Sequence, residues 1–157
     1  ASEEVYKRHV MKTRLSHAPT ESDLEEIKSA LRNFNRNFIP QSKFRALGIF
    51  VEDEKGNKQA GIVAETVGNW MYIQMLWVDE SLRGKDVGTQ LITEAEEEAK
   101  ARGCRYSLVD TFSFQARPFY ERMGYHMQMA LEDYIADSRA PDDAPSTHTR
   151  FFLTKSL

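Results

Sequence analysis

LWVDESLRGKDVGTQLI, residues 76–92, decides the fold. An apolar, strand-like run ends at Val78, a polar loop covers 79–86, and a helix opens at Val87. Val87, Leu91, Ala95 and Ala99 recur at every fourth position and form one apolar stripe. The helix runs out at Arg102, and Gly103 is the residue type that closes a helix.

Outward from this stretch, three strands lead up to the loop, at 46–52, 59–67 and 70–78. Turn residues separate them, EKGN (54–57) and the two-residue Gly68-Asn69, so they make an antiparallel meander. Beyond the helix, 104–111 reads as a strand, 115–123 as a short helix closed by Gly124, and 125–133 as another strand. Asp, Pro and Ser crowd 135–148 into a loop, and 149–157 supplies a closing strand. At the other end, 5–15 reads as a first strand. Thr20 or Ser22 then caps a helix, with Ser22 and Glu25 spaced as a capping box and Leu24, Ile27, Leu31 and Phe34 on one face. The sum is one α/β domain over 1–157: a mixed, largely antiparallel central sheet of about six to seven strands, flanked by helices.

Hydrophobic residues make up 41% of the 157, enough to build a core without a disulfide or metal staple. The 21 Lys+Arg against 24 Asp+Glu leave a net charge of −3, which lacks the broad basic surface of a nonspecific nucleic-acid binder. Cys104 is the sole cysteine, which excludes an internal disulfide and a multi-cysteine zinc site. His126 among Met123, Met127 and Met129 is a poor metal set and is expected to pack in the core. No apolar run approaches the ~20 residues of a membrane span, and the polar start does not read as a signal peptide. The expectations are therefore no metal, no nucleic-acid or membrane partner, and a cytoplasmic location, with a homodimer left open. The run EAEEEAK (94–100) is expected to be a solvated helix face.

The loop carries chemistry as well as topology. Gly84 and Gly88 allow a tight turn with no Cβ in the way of a ligand. The free N–H groups of a helix's first turn, with its positive dipole end, attract an anion, and Arg83 and Lys85 add cations beside it. GxGxxG and GxxxxGK[ST] are both absent. On these residues alone, a phosphate site and a merely basic strand–helix turn both stay open.

Arg83-Gly84-Lys85-Asp86-Val87-Gly88-Thr89 resembles the acyl-CoA loop of the GNAT family of N-acetyltransferases, (Q/R)xxGx(G/A). SFQARPFYERMGY (113–125) resembles that family's second signature, NxxAxxFYxxxGF, at the family's separation from the first. Asp86 departs from the first glycine of the loop motif, and Ser113 from the asparagine of the second.

The resemblance implies the GNAT acyl-CoA N-acyltransferase fold, acetyl-CoA as cosubstrate, and acetyl transfer to a primary amine. The acceptor is expected to be a small molecule, attacked directly in a ternary complex. Alternatives are a protein lysine or N-terminus as acceptor, or a sensor that binds acyl-CoA without turnover. By the same resemblance, Leu76, Trp77 and Val78 would pair with the pantetheine arm. The amides from Arg83 through Gly84, Lys85, Asp86, Val87 and Gly88 to Thr89 would take the pyrophosphate, and Ser113, Ala116 and Phe119 would line the cofactor side. Tyr120 is the candidate acid for the departing thiolate, its phenol near pKa 10 matching a thiolate of similar strength. Asp110 is the preferred base candidate over Glu65, Asp79 and Glu80. Acceptor contacts are expected from 33–42 and 135–148, with Phe34, Phe38, Trp70, Tyr72 and Tyr134 as aromatics. Glu132, Asp133, Asp142 and Asp143 are the nearby acids.

Overall fold

The computed structural model describes residues 11–157, which fall into two compact units, one ending at Gln41 and the other Ser42–Leu157. In the first unit, helix α1 (Glu21–Asn35) is capped by Thr20, not Ser22. Thr20 Oγ1 accepts from the Asp23 amide at 3.0 Å, and the Asp23 carboxylate accepts from the Thr20 amide at 3.1 Å. Aspartate thus closes the capping box in place of the expected Glu25, because the cap lies two residues earlier and Asp23 is the third residue after it. The expected strand 5–15 lies partly outside the described residues, and 11–15 have no regular structure.

The second unit is one six-stranded sheet in the order β1-β2-β3-β4-β6-β5. Strands β1 (Phe44–Glu52), β2 (Lys58–Val67) and β3 (Trp70–Val78) form the expected meander. Helix α2 (Val87–Ala101) crosses over to β4 (Tyr106–Phe112), which joins β3 in parallel, the one parallel pair among the described strands. Helix α3 (Arg117–Arg122) then leads to the antiparallel pair β5 (His126–Ala136) and β6 (Thr147–Ser156). The loop between them is shorter than its composition suggested, because β5 runs on to Ala136.

Along β4, Ser107, Val109 and Thr111 are buried while Tyr106, Leu108, Asp110 and Phe112 are half-buried, so one sheet face carries the core. Leu91, Ala95 and Ala99 of the α2 stripe are buried in it with Ile62, Met71, Ile73 and Leu153. Arg102 fixes the end of α2, its Nη1 donating to the Ala46 carbonyl at 3.0 Å and to Thr66 Oγ1 at 3.1 Å.

Two expectations are corrected. His126, Met127 and Met129 are exposed: among the described strands β5 lies at the sheet edge and pairs with β6 alone. Glu96, inside the supposedly solvated run, is buried at 7% exposure. Its carboxylate accepts from Tyr125 Oη at 2.9 Å and Lys155 Nζ at 2.9 Å, and Tyr125 Oη also lies 2.8 Å from Ser107 Oγ. Removing one member of such a set leaves the others desolvated and unpaired. Glu96→Ala is expected to lower unfolding free energy by about 2–3 kcal/mol. The exposed neighbour change Glu97→Ala should cost under ~0.5 kcal/mol, both read by urea denaturation.

Candidate active site

Strands β3 and β4 pair only from Trp70↔Tyr106 to Ile73↔Val109 and then separate. On the other side of β3, Gln74 has no partner in β2, since Ala64 faces Ile73 and Val63 faces Met75. A residue inserted this way bends and twists a strand. The bend swings Gln74–Val78 away from β4, so their β4-side edge has no strand to pair with. The wedge between the strands is a cavity of ≈ 220 Å³. Ile73 to Leu76 line it from β3, Val109 to Thr111 from β4, and Gln115, Ala116 and Tyr120 close its floor.

The segment entering α3 is tied to β4 side chains. Gln115 Oε1 accepts from the Phe112 amide at 2.8 Å, and Thr111 Oγ1 accepts from the Ala116 amide at 3.3 Å. Tyr120 is thereby carried to the cavity. It is buried, and its hydroxyl has no hydrogen-bond partner among the described residues. Burial first, and the Asp110 charge second, push its pKa up to about 12. The match to a thiolate near pKa 10 is therefore looser than expected from the free phenol. The same desolvation raises the basicity of any thiolate formed beside it, which restores part of the match.

Just past the end of β3, the 3-10 turn Glu80–Leu82 is capped by Asp79, whose carboxylate accepts from the Ser81 amide at 3.0 Å and Ser81 Oγ at 2.5 Å. These bonds hold the Asp79 carboxyl below the usual carboxylate range, so it serves the turn. The Arg83 amide is spent on the Glu80 carbonyl at 3.2 Å. From Gly84 to Thr89, six successive amides have no partner among the described residues, and the Gln90 amide begins the helical ladder at Asp86. Arg83 and Lys85 are exposed beside them.

Asp86 is the N-cap of α2 in the left-handed region, φ 60°, with no capping hydrogen bond from its side chain. Glycine adopts that geometry freely, and aspartate is one of the few other residues that tolerates it. The departure from the family motif therefore leaves the backbone path intact. Gly88 lies two residues on, where a Cβ would sit 3.3 Å from the Phe119 ring, so the two motifs are in contact through a glycine.

Asp110 lies at the cavity, but its carboxylate is already engaged. Tyr72 Oη donates to Oδ1 at 2.5 Å, and Arg150 donates to Oδ2 from Nε at 2.9 Å and Nη2 at 2.6 Å. Arg150 Nη1 also donates to Tyr134 Oη at 2.9 Å. A carboxylate so held gives up lone pairs that a base would need. Ser113 is likewise committed, its Oγ accepting from the Thr149 amide at 3.1 Å and lying 3.2 Å from His148 Nδ1.

Of the aromatics expected near the acceptor, Tyr72 and Tyr134 join the Asp110 network, whereas Trp70 stacks on Tyr106 at 4.9 Å at the opposite end of β3. Phe34 and Phe38 belong to the first unit, their rings 5.7 Å apart. Glu132, Asp133, Asp142 and Asp143 are exposed. The sequence reading missed Gln74, Thr111, Gln115 and Arg150. An inserted strand residue leaves no periodic signal, and Arg150 reaches the site only through strand order.

The family model described as "Acetyltransferase (GNAT) family" matches residues 12–125. The chain belongs to the GNAT acetyltransferases. A blasticidin-S acetyltransferase from Streptomyces morookaense is 35% identical over 112 residues, which is 70% of this chain and 82% of that protein. The crystal structure of an acetyltransferase from Bacillus cereus ATCC 14579 superposes with a TM-score of 0.72 at 30% identity, covering 97% of this chain and 99% of that one. A structure assigned to a streptothricin acetyltransferase of Bacillus anthracis, solved in complex with acetyl coenzyme A, shares the fold with a TM-score of 0.58 and 18% identity. It covers 78% of this chain and 67% of that one.

As a GNAT enzyme the chain is an acyltransferase, and the family's acetyl donor is acetyl-CoA. Six unpartnered amides at a helix N-terminus, beside an open strand edge and a cavity, fit a pyrophosphate with an amide-bearing arm. No group of three or more His, Cys, Asp or Glu side chains among the described residues is arranged to hold a metal ion, and no described helix is long and apolar enough to cross a membrane. Asp86→Gly is expected to match or exceed the parent in stability, by up to about 1 kcal/mol, because the left-handed turn loses its Cβ strain. Asp86→Val should fall about 2 kcal/mol below Asp86→Gly in thermal or urea unfolding, since a β-branched residue resists that conformation.

Proposed function

We propose that the chain transfers the acetyl group of acetyl-CoA to the primary amine of a small molecule, within one catalytic domain. The observation that carries this reading is the buried Tyr120 hydroxyl at the cavity, without a partner among the described residues, together with the amides of Gly84 to Thr89 that are likewise unpartnered beyond the end of β3. Its span is supported by the family match, which runs across both compact units. A small acceptor is in keeping with the names of the blasticidin-S and streptothricin relatives.

In this reading the open edge of Leu76–Val78 pairs with the pantetheine arm, and the amides of Gly84 to Thr89 hold the pyrophosphate with Arg83 and Lys85 nearby. Ala116 lines the floor, and Phe119 packs against Gly88. The amine nitrogen attacks the thioester carbonyl carbon, and an amide of β3 near Leu76 steadies the developing oxyanion. As the C–S bond breaks, Tyr120 Oη–H delivers its proton to sulfur, and the proton lost by the attacking nitrogen returns to the phenolate through water. Asp110, already bound by Arg150 and Tyr72, orients those two groups and is a positioning residue. Ser113 supports the 113–149 contact and is not a donor to the arm.

Isothermal titration with acetyl-CoA is expected to give micromolar affinity, and its absence at millimolar ligand would overturn the cofactor reading. Gly88→Trp, which must push against Phe119, should abolish that binding while leaving the circular dichroism spectrum in place. Tyr120→Phe should lower kcat ~10²-fold with little change in acetyl-CoA affinity. Because the folded Tyr120 pKa is about 12, the phenol stays protonated well above neutrality. The kcat of the parent enzyme is therefore expected to show no loss from this group between pH 8 and 10. A falling limb centred near pH 9 that vanishes in Tyr120→Phe would contradict the raised value.

A further inference from the structure

One residue past the cavity, the sheet face opposite α2 carries a run of aromatic rings. Phe112 stacks on Phe114 with centroids 5.3 Å apart and an interplanar angle of 13°. Tyr134 meets Phe112 edge-on at 5.3 Å, and His148 meets Phe114 edge-on at 4.7 Å. Phe114 is 60% exposed and Tyr134 45%. The Arg150 guanidinium lies among them, 5.7 Å from the Phe112 centroid and 5.4 Å from Tyr134.

Exposure of large rings in a fixed arrangement is costly unless something covers them in use. Here the arrangement is over-determined. Tyr134 is held by Arg150 Nη1, Arg150 by Asp110, and His148 by Ser113 at 3.2 Å and Asp137 at 3.5 Å. Asp110 belongs both to this network and to the cavity wall, so the rings begin where the transferred group would sit. The charge that faces a ligand is equally defined. Asp110 is neutralised by Arg150, and the guanidinium keeps two N–H groups without a partner among the described residues. A polycation finds no net negative charge in this neutralised pair, whereas a flat ring finds faces and edges to stack on.

We infer that Phe112, Phe114 and Tyr134, with Arg150 behind them, form the acceptor subsite, and that it selects an amine carried on a short arm from a planar unsaturated ring. The inference rests on the transferase reading and narrows its acceptor class. Phe114 is the residue whose ring is most open to the ligand, and Arg150 positions Tyr134 and Phe112 around it.

The test compares four probe amines in the presence of acetyl-CoA: phenethylamine and tryptamine against hexylamine and spermidine, by kcat/KM for thiol release. Hexylamine carries an apolar chain without a ring, so it separates aromatic stacking from apolar burial. The ring amines are expected to exceed hexylamine by at least about tenfold, in line with one good aromatic stack. Spermidine should be the poorest. In Phe114→Ala that preference should shrink about tenfold, chiefly through KM, and Phe114→Trp should restore it. Equal kcat/KM for phenethylamine and hexylamine, or a preference untouched by Phe114→Ala, would overturn the subsite. Saturation-transfer NMR of tryptamine on protein loaded with desulfo-CoA reads binding without turnover. Tryptamine signals that disappear in Phe114→Ala support the subsite even if no thiol is released, in which case the transferase reading is what fails. No tryptamine signal on the parent protein overturns the subsite whatever the turnover.

Discussion

Past Ile73 and Val109 the central parallel pair stops exchanging hydrogen bonds, and the chemistry of the molecule depends on that separation. Backbone amides in a closed sheet are consumed by their neighbours and offer nothing to a ligand. Here one unmatched residue, Gln74, bends β3 off β4 and leaves an open edge beside the cavity. The same departure makes room for Tyr120 and for the turn that presents Gly84 to Thr89. A parallel pair suits this opening, because its crossover helix starts at the end of β3 where the strands diverge.

The opening is only useful if α2 starts in the right place. Its buried Leu91, Ala95 and Ala99 set the rotation of the helix on the sheet, while Arg102 pins its last turn to the Ala46 carbonyl and Thr66. The buried Glu96, with Lys155 and Tyr125, ties the helix middle to β6 and to the start of β5. Gly88 against Phe119 then packs the first turn of α2 on α3, the helix that carries Tyr120. The cost of a buried carboxylate is offset by its hydrogen bonds from Tyr125 and Lys155 within one network.

Much of this was legible in the residues. Trp70 to Val78 reads as a strand from its apolar run and bounding turns, and the helix from Val87 to its end at Gly103 reads from a fourth-residue stripe. Both signals are local, since periodicity and turn chemistry act within a few residues of the chain. The site was legible to the same range. The 83–89 loop and the 113–125 segment announce their residues, but not that Gly88 touches Phe119 or that Ser113 is engaged by Thr149 and His148. Asp110 illustrates the limit. Its strand position suggested a base, and only the arrival of Arg150 from β6, forty residues later, turned it into half of an ion pair.

The order of elements, the antiparallel meander, the crossover helix and the glycine-bearing strand–helix loop follow from the sequence by itself, because each rests on short-range sterics and apolar spacing. Tertiary structure alone decided that β6 inserts between β4 and β5, which exposes His126 and its methionines. It also decided that Glu96 goes inward, and that Phe112, Phe114, Tyr134, His148 and Arg150 meet on one face. Those outcomes depend on contacts between segments distant along the chain. Their free energy comes from desolvation and pairing that exist only after the sheet has formed.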